Sequence, residues 1–299
     1  MKSIARHIDE YDIVQEVRIE RAAHKGSFLL LEGETDIKRF APFVDNIECS
    51  MVNCYGRNNA IEAIKILDTH RFGRALACID ADFDRIQNRL YSHKSIIYSE
   101  YHDFDIDWVN TGAFEKYCYE VASESKISDI GGYSVVMSKI LEGLKPISCT
   151  KLLNVNRKFR YKVKHVDAAT CFSSFQVDFD VYFNEIFKEI TPPHDAKANL
   201  EGYLEKLLPM NINLLQITNG HDFHSALGAS LRTDIGDRRD VHTWGKEVEM
   251  HIRLSFELSD FAITKVSRFI YDWEVQNSPY LVLKSDVRKT LAVRAAGNP

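Results

Sequence analysis

The chain has 299 residues, 45% of them apolar and 27% charged, with a formal net charge of −5 at pH 7. That apolar content can fill a core, which excludes a disordered chain, and the negative balance excludes one global cationic field for meeting nucleic acid. Phosphate contacts must then come from local basic patches. No basic start runs into an apolar core, and no apolar stretch reaches the roughly eighteen residues of a membrane helix, so a cytoplasmic protein without signal peptide or membrane contact is expected. The six cysteines, Cys49, Cys54, Cys78, Cys118, Cys149 and Cys171, form no CxxC pair. They are expected to be reduced and mostly buried rather than zinc ligands.

In chain order, short apolar runs alternate with helical patterns up to about residue 130, which predicts an α/β fold with a mostly parallel sheet flanked by helices. Ser27 to Leu31 reads as the first strand. A helix from about Asp36 should turn Ile37, Phe40 and Phe43 inward, and Cys49 to Tyr55 is the second strand. Gly56 leads into a helix capped by Asn58 or Asn59 that carries Ile61, Ile64 and Leu67. Ala75 to Ile79 and Ser95 to Tyr98 are the third and fourth strands. Residues 103 to 145 read as helical, with Phe114, Tyr117, Cys118 and Val121 on one face. The Gly131-Gly132 pair is the expected boundary between domains at 1–130 and 131–299. Beyond it a mainly helical α+β region is expected: a strand at Phe159 to Val163, helices at Val181 to Ile190 and Ala196 to Leu208, and an apolar run Leu214 to Ile217. Further helices are expected at His221 to Leu231, Thr243 to Phe256 and Thr264 to Trp273.

Chemistry concentrates where apolar strands end in acids. Leu29-Leu30-Leu31 runs into Glu32-Gly33, and Ala77-Cys78-Ile79 runs into Asp80-Ala81-Asp82. Active groups of parallel sheets collect at carboxyl strand ends, so Glu32, Asp80 and Asp82 are expected at one edge. Clustered carboxylates repel unless a cation intervenes, and hard oxygen donors suit Mg²⁺ or Mn²⁺. Asp36 and Asp84 either extend this set toward a second metal or serve as a helix-start residue and a solvated loop residue.

Leu30-Leu31-Glu32-Gly33-Glu34-Thr35-Asp36, followed by Cys78-Ile79-Asp80-Ala81-Asp82, resembles the TOPRIM domain of topoisomerases, primases and overcoming-lysogenization-defect (OLD) nucleases. His102-Asp103-Phe104-Asp105 and Asn219-Gly220-His221-Asp222 narrow the likeness to OLD-like TOPRIM proteins of bacteria. The resemblance implies a metal-dependent endonuclease with Glu32, Asp80 and Asp82 catalytic, Glu32 either ligating metal or moving a proton, and Asp105 where the family usually has glutamate. The family includes effectors of the PARIS anti-phage system. From them the resemblance further implies cleavage of host RNA, transfer RNA above all, restraint by an ATPase subunit, and an active homodimer. A non-catalytic nucleic-acid-binding module, a DNA-cleaving OLD-like nuclease and a primase-type nucleotidyl transferase are the alternatives. The sequence holds no GxxxxGK[ST] phosphate loop, so ATP-dependent control would come from a partner.

Two basic features complete the sequence. A strand over Arg157 to His165 would align Lys158, Arg160, Lys162 and Lys164 on one face, either to contact phosphates or as a solvated edge. Arg232, Arg238 and Arg239 interleave with Asp234, Asp237 and Asp240, which weakens them as an anion site. His221 and His224 lack the further ligands of a zinc site, and His221-Asp222 reads as a helix start with Asp222 accepting backbone N–H groups.

Overall fold

The computed structural model describes residues 7–189, 191–237 and 245–297. They divide into two compact units. A sheet unit comprises Met1–Ala81, Leu90–Glu100 and Glu257–Pro299, and a helical unit comprises Asp82–Arg89 and Tyr101–Phe256.

The sheet unit opens with α1 (Glu10–Glu20), followed by β1 (Ser27–Leu31), α2 (Glu34–Phe40), β2 (Cys49–Asn53), α3 (Arg57–Thr69), β3 (Ala75–Ile79) and β4 (Ile96–Tyr98). All four strands run parallel in the order β2-β1-β3-β4. Every residue of β1 and β3 is buried. That is why both read as unbroken apolar runs instead of alternating patterns. Phe28, Leu30, Ala77 and Ile79 form one core with Ile13, Val14 and Val17 of α1 and Ala60, Ala63, Ile64 and Leu67 of α3. Side chains alternate across a strand, so Leu29, Leu31, Leu76 and Cys78 fill the opposite face. Phe43 stacks on Phe261 elsewhere in this unit, with ring centroids 4.2 Å apart. Gly56, with φ 131°, stands at the N-terminus of α3, while Asn59 donates to the Ile8 and Cys54 carbonyls and caps nothing.

The helical unit holds α4 (Phe104–Val109), α5 (Gly112–Val121), α6 (Glu124–Ile130), α7 (Tyr133–Arg157), the hairpin of β5 (Phe172–Ser173) and β6 (Gln176–Val177), α8 (Phe179–Ile186), α9 (Ala196–Leu207), α10 (Gly220–Thr233) and α11 (Gly245–Ser255). Its core is α10, buried from Asp222 through Leu231. It packs against α11, α7 and α4. The expected boundary lies inside this unit: Gly131 and Gly132, at φ 110° and 98°, turn the chain between α6 and α7. A left-handed C-cap carries the same glycine signal as a linker.

The chain then returns to the sheet unit as α12 (Leu258–Phe261), α13 (Lys265–Gln276) and α14 (Ser285–Gly297). Between the last two, Asp45 N–H donates to the Val282 carbonyl at 2.8 Å and Lys284 N–H to the Phe43 carbonyl at 2.9 Å. Ser27 Oγ donates to the Leu281 carbonyl. Among the described residues no helix is long and apolar enough to cross a membrane. All six cysteines are free and buried, and burial pushes Cys49 and Cys171 up to about 12 and Cys149 up to about 11.

Glu274 on α13 is buried and accepts the Val282 and Leu283 N–H groups at 2.5 and 2.6 Å. Burial raises its pKa above the ordinary carboxylate value, and those two donors only partly offset it. A raised folded-state pKa contributes stability below the unfolded value, and that contribution is lost as pH rises through the folded one. Glu274→Gln keeps the acceptor without the charge. Urea unfolding from pH 4 to pH 7 should show the wild type losing stability relative to this variant as pH rises; a constant difference would refute the assignment.

Candidate functional site

Register brings two of the acids together at the sheet edge. Leu31 lies beside Cys78 on neighbouring parallel strands, which brings the two strand ends together. Glu32 Oε1 accepts the Asp80 N–H at 2.8 Å. Of the three acids expected at this edge, Glu32, Asp80 and Asp82, this bond joins the first two, and Asp82 falls in the helical unit. Ser99, fully buried, accepts the Ala81 N–H at 2.8 Å, and the Gly56 N–H donates to the Glu32 carbonyl at 2.9 Å. The backbone carrying these acids is thus held on both strands. Arg57, the first residue of α3, reaches the Ala81 carbonyl at 3.4 Å and sits over the Tyr98 ring. It brings a cation to the same edge, and its only local signal is an arginine following a glycine at a helix start.

Asp36 has a visible structural task. Its Oδ2 accepts the Gly33 N–H at 3.1 Å and its Oδ1 pairs with buried Arg39 at 2.5 Å. Together these contacts tie the turn after Glu32 to α2.

Asp82, Asp84 and Asp105 belong to the helical unit. Asp82 begins a short 3-10 turn that ends at Asp84, and it holds a left-handed backbone at φ 48°. Such a conformation is uncommon for a residue other than glycine and is often retained where side-chain placement matters. The Asp82 N–H donates to the His102 carbonyl at 2.7 Å, and its carboxylate lies 3.9 Å from His102 Nε2. Burial pushes the His102 pKa down, opposed mainly by the Asp82 charge. Asp84 pairs with Arg89 at 3.0 Å.

The acids after β4 explain the Asn219-Gly220-His221-Asp222 motif. Asp103 caps α4 through the Ile106 N–H at 2.9 Å and also accepts the Gly220 N–H at 2.8 Å. A Cβ on Gly220 would lie 2.2 Å from the Asp105 Cβ, so only glycine lets Asp105 pass. Asn219, rather than Asp222, caps α10. Asp222 is instead buried and paired with Lys151 of α7 at 2.5 Å. Gly220→Ala should destabilise the protein by about 1–3 kcal/mol through overpacking, read as a lower thermal midpoint. An unchanged midpoint would show that the Asp103–Asp105 loop yields freely.

The expected basic strand does not form. Lys158 and Arg160 take left-handed φ values of 56° and 61°, and the chain continues into a 3-10 turn at Val163–His165. Ring packing overrides the alternating pattern: Phe159 stacks on Tyr161 at 5.1 Å, and Tyr161 meets Phe187 edge-on. Lys158, Arg160, Lys162 and Lys164 therefore share no strand face, and Lys162 pairs with Glu189 at 2.9 Å. Arg157, outside the expected set, lies 4.6 Å over the Tyr203 ring. Of the second basic cluster, Arg238, Arg239 and Asp240 lie outside the described residues.

Compared with known proteins, the chain matches no family model and no curated protein. Among the described residues no group of three or more His, Cys, Asp or Glu side chains is gathered closely enough to hold a metal ion. Glu32 and Asp80 stand at the ends of adjacent parallel strands and bring carboxylates to that edge. That donor set fits Mg²⁺, which commonly binds through one or two carboxylates and keeps its remaining positions for water and substrate phosphate.

Proposed function

We propose that the chain is a metal-dependent nuclease of OLD-like TOPRIM type that cleaves RNA. The carrying observation is the 2.8 Å bond that fixes Glu32 against the Asp80 backbone at the ends of two adjacent parallel strands. Glu32, Asp80 and Asp82 would hold Mg²⁺ or Mn²⁺, which supplies charge neutralisation at a phosphodiester and a more acidic water. Glu32 and Asp80 orient their carboxylates through the strand ends, and Arg57 places a fixed positive charge where a phosphate oxygen can meet it. Asp36 keeps the turn after Glu32 in place through Arg39. The resemblance also implies Asp84 and Asp105 as further oxygen donors.

RNA is favoured over duplex DNA by the ring cluster of Phe159, Tyr161, Phe187 and Tyr203, with Arg157 over the Tyr203 ring. Rings next to guanidinium groups suit splayed, single-stranded bases. The resemblance to PARIS effectors extends the proposal to anti-phage defence, with transfer RNA as substrate, an ATPase subunit as restraint and a homodimer as the active form. Purified protein incubated with transfer RNA, single-stranded RNA and duplex DNA, with Mg²⁺ or with EDTA, tests the substrate class. Cleavage of RNA only with the divalent ion is expected. Cleavage confined to DNA, or RNA cleavage that survives EDTA, would refute it.

A further inference from the structure

Lys164, His165, Asp167, His221, Ser225 and Lys246 line a pocket of about 270 Å³ within the helical unit. They come from three separated stretches of chain. Buried Val163 and Val166 anchor the 3-10 turn and leave Lys164 and His165 exposed between them. His221 stands in the first turn of α10, one turn before buried Ser225, and Lys246 stands at the start of α11. The backbone closes tightly here, since a Cβ on Gly245 would come within 2.5 Å of Ser225 Oγ. Asp167, the one acid of the lining, accepts the Ala169 N–H at 3.0 Å and so caps its own turn. Among the described residues, neither Lys164 nor Lys246 is held in an ion pair.

Two lysines converging on one concavity repel one another unless an anion joins them, and the two imidazoles beside them can donate to it. The N-terminus of α10 adds little by itself, because Asp103 and Asn219 already take its Gly220 and His221 N–H groups. The basic side chains and the buried hydroxyl carry the assignment. We propose that this pocket binds a phosphate group of the RNA strand, an inference that rests on reading the chain as a nuclease. The site gives His221 a task in the Asn219-Gly220-His221-Asp222 motif that the paired Asp222 does not explain.

The test is fluorescence anisotropy in EDTA with a 3′-labelled single-stranded RNA of about ten nucleotides, with and without a 5′-phosphate. Lys164→Glu and Lys246→Glu should each weaken binding roughly tenfold at low salt and lower the salt slope by about 0.7 per lost contact. A larger loss for the 5′-phosphorylated RNA identifies a terminal phosphate, and equal losses identify an internal diester. Both lysines are exposed, and Lys→Gln at each position, expected to give a smaller loss of the same sign, covers any variant that fails to fold. Wild-type affinity and slope in both Lys→Glu variants would overturn the proposal. Wild-type protein that binds this RNA in EDTA yet leaves it uncut when Mg²⁺ is added would remove the nuclease reading while leaving the binding result intact.

Discussion

Replacing Glu32 or Asp80 by alanine is expected to lower RNA cleavage at saturating Mg²⁺ by about 10³-fold or more. A ligand that sets the charge facing a phosphodiester contributes about 4 kcal/mol to the barrier, and each 1.36 kcal/mol is tenfold in rate. The fold should survive. Glu32→Ala loses the hydrogen bond from the Asp80 N–H, worth about 0.5–1.5 kcal/mol, a small part of the stability of a folded chain. Glu32→Gln is the sharper variant because its side-chain oxygen can still accept the Asp80 N–H. Single-turnover cleavage, together with a thermal midpoint for each variant, separates chemistry from folding. Near-normal cleavage by either alanine variant would mean that these strand ends are not the site.

The largest effect on stability is expected at Lys151. Asp222 is 1% exposed, and its Oδ1 has no hydrogen-bond partner among the described residues, so Lys151 at 2.5 Å is its main compensation. Lys151→Met would strand a buried charge, a change that typically costs about 3–5 kcal/mol, or on the order of 10 °C in a unit of this size. Replacing both partners, as Lys151→Met with Asp222→Leu, should recover most of that loss. Thermal unfolding of the two single variants and the double variant measures the coupling. Equal midpoints for wild type and Lys151→Met would show the pair to be incidental.

The parts of the fold legible in the sequence are those set by local pattern. Strands β1 and β3 are five-residue apolar runs ending in acid, and that one feature gave both the parallel sheet and the Glu32–Asp80 edge. The return of residues 257–299 to the sheet unit was not legible, because Phe261, Val282 and Leu283 find their partners more than two hundred residues earlier in the chain. The expected strand at Phe159 to Val163 failed because its alternation of rings and cations is equally compatible with a loop whose rings pack together. Lys151 escaped notice for a similar reason. A single lysine on a long helix reads as solvated until the fold places Asp222 against it.

Divalent-ion binding tests the metal site most directly, because it needs neither substrate nor partner. Mn²⁺ titrated into the purified protein and followed by the loss of its free-ion electron paramagnetic resonance signal should show bound ion in the wild type. Glu32→Gln combined with Asp80→Asn should abolish that binding at an unchanged thermal midpoint. Equal Mn²⁺ uptake by the wild type and this double variant would contradict a metal centre at the ends of β1 and β3.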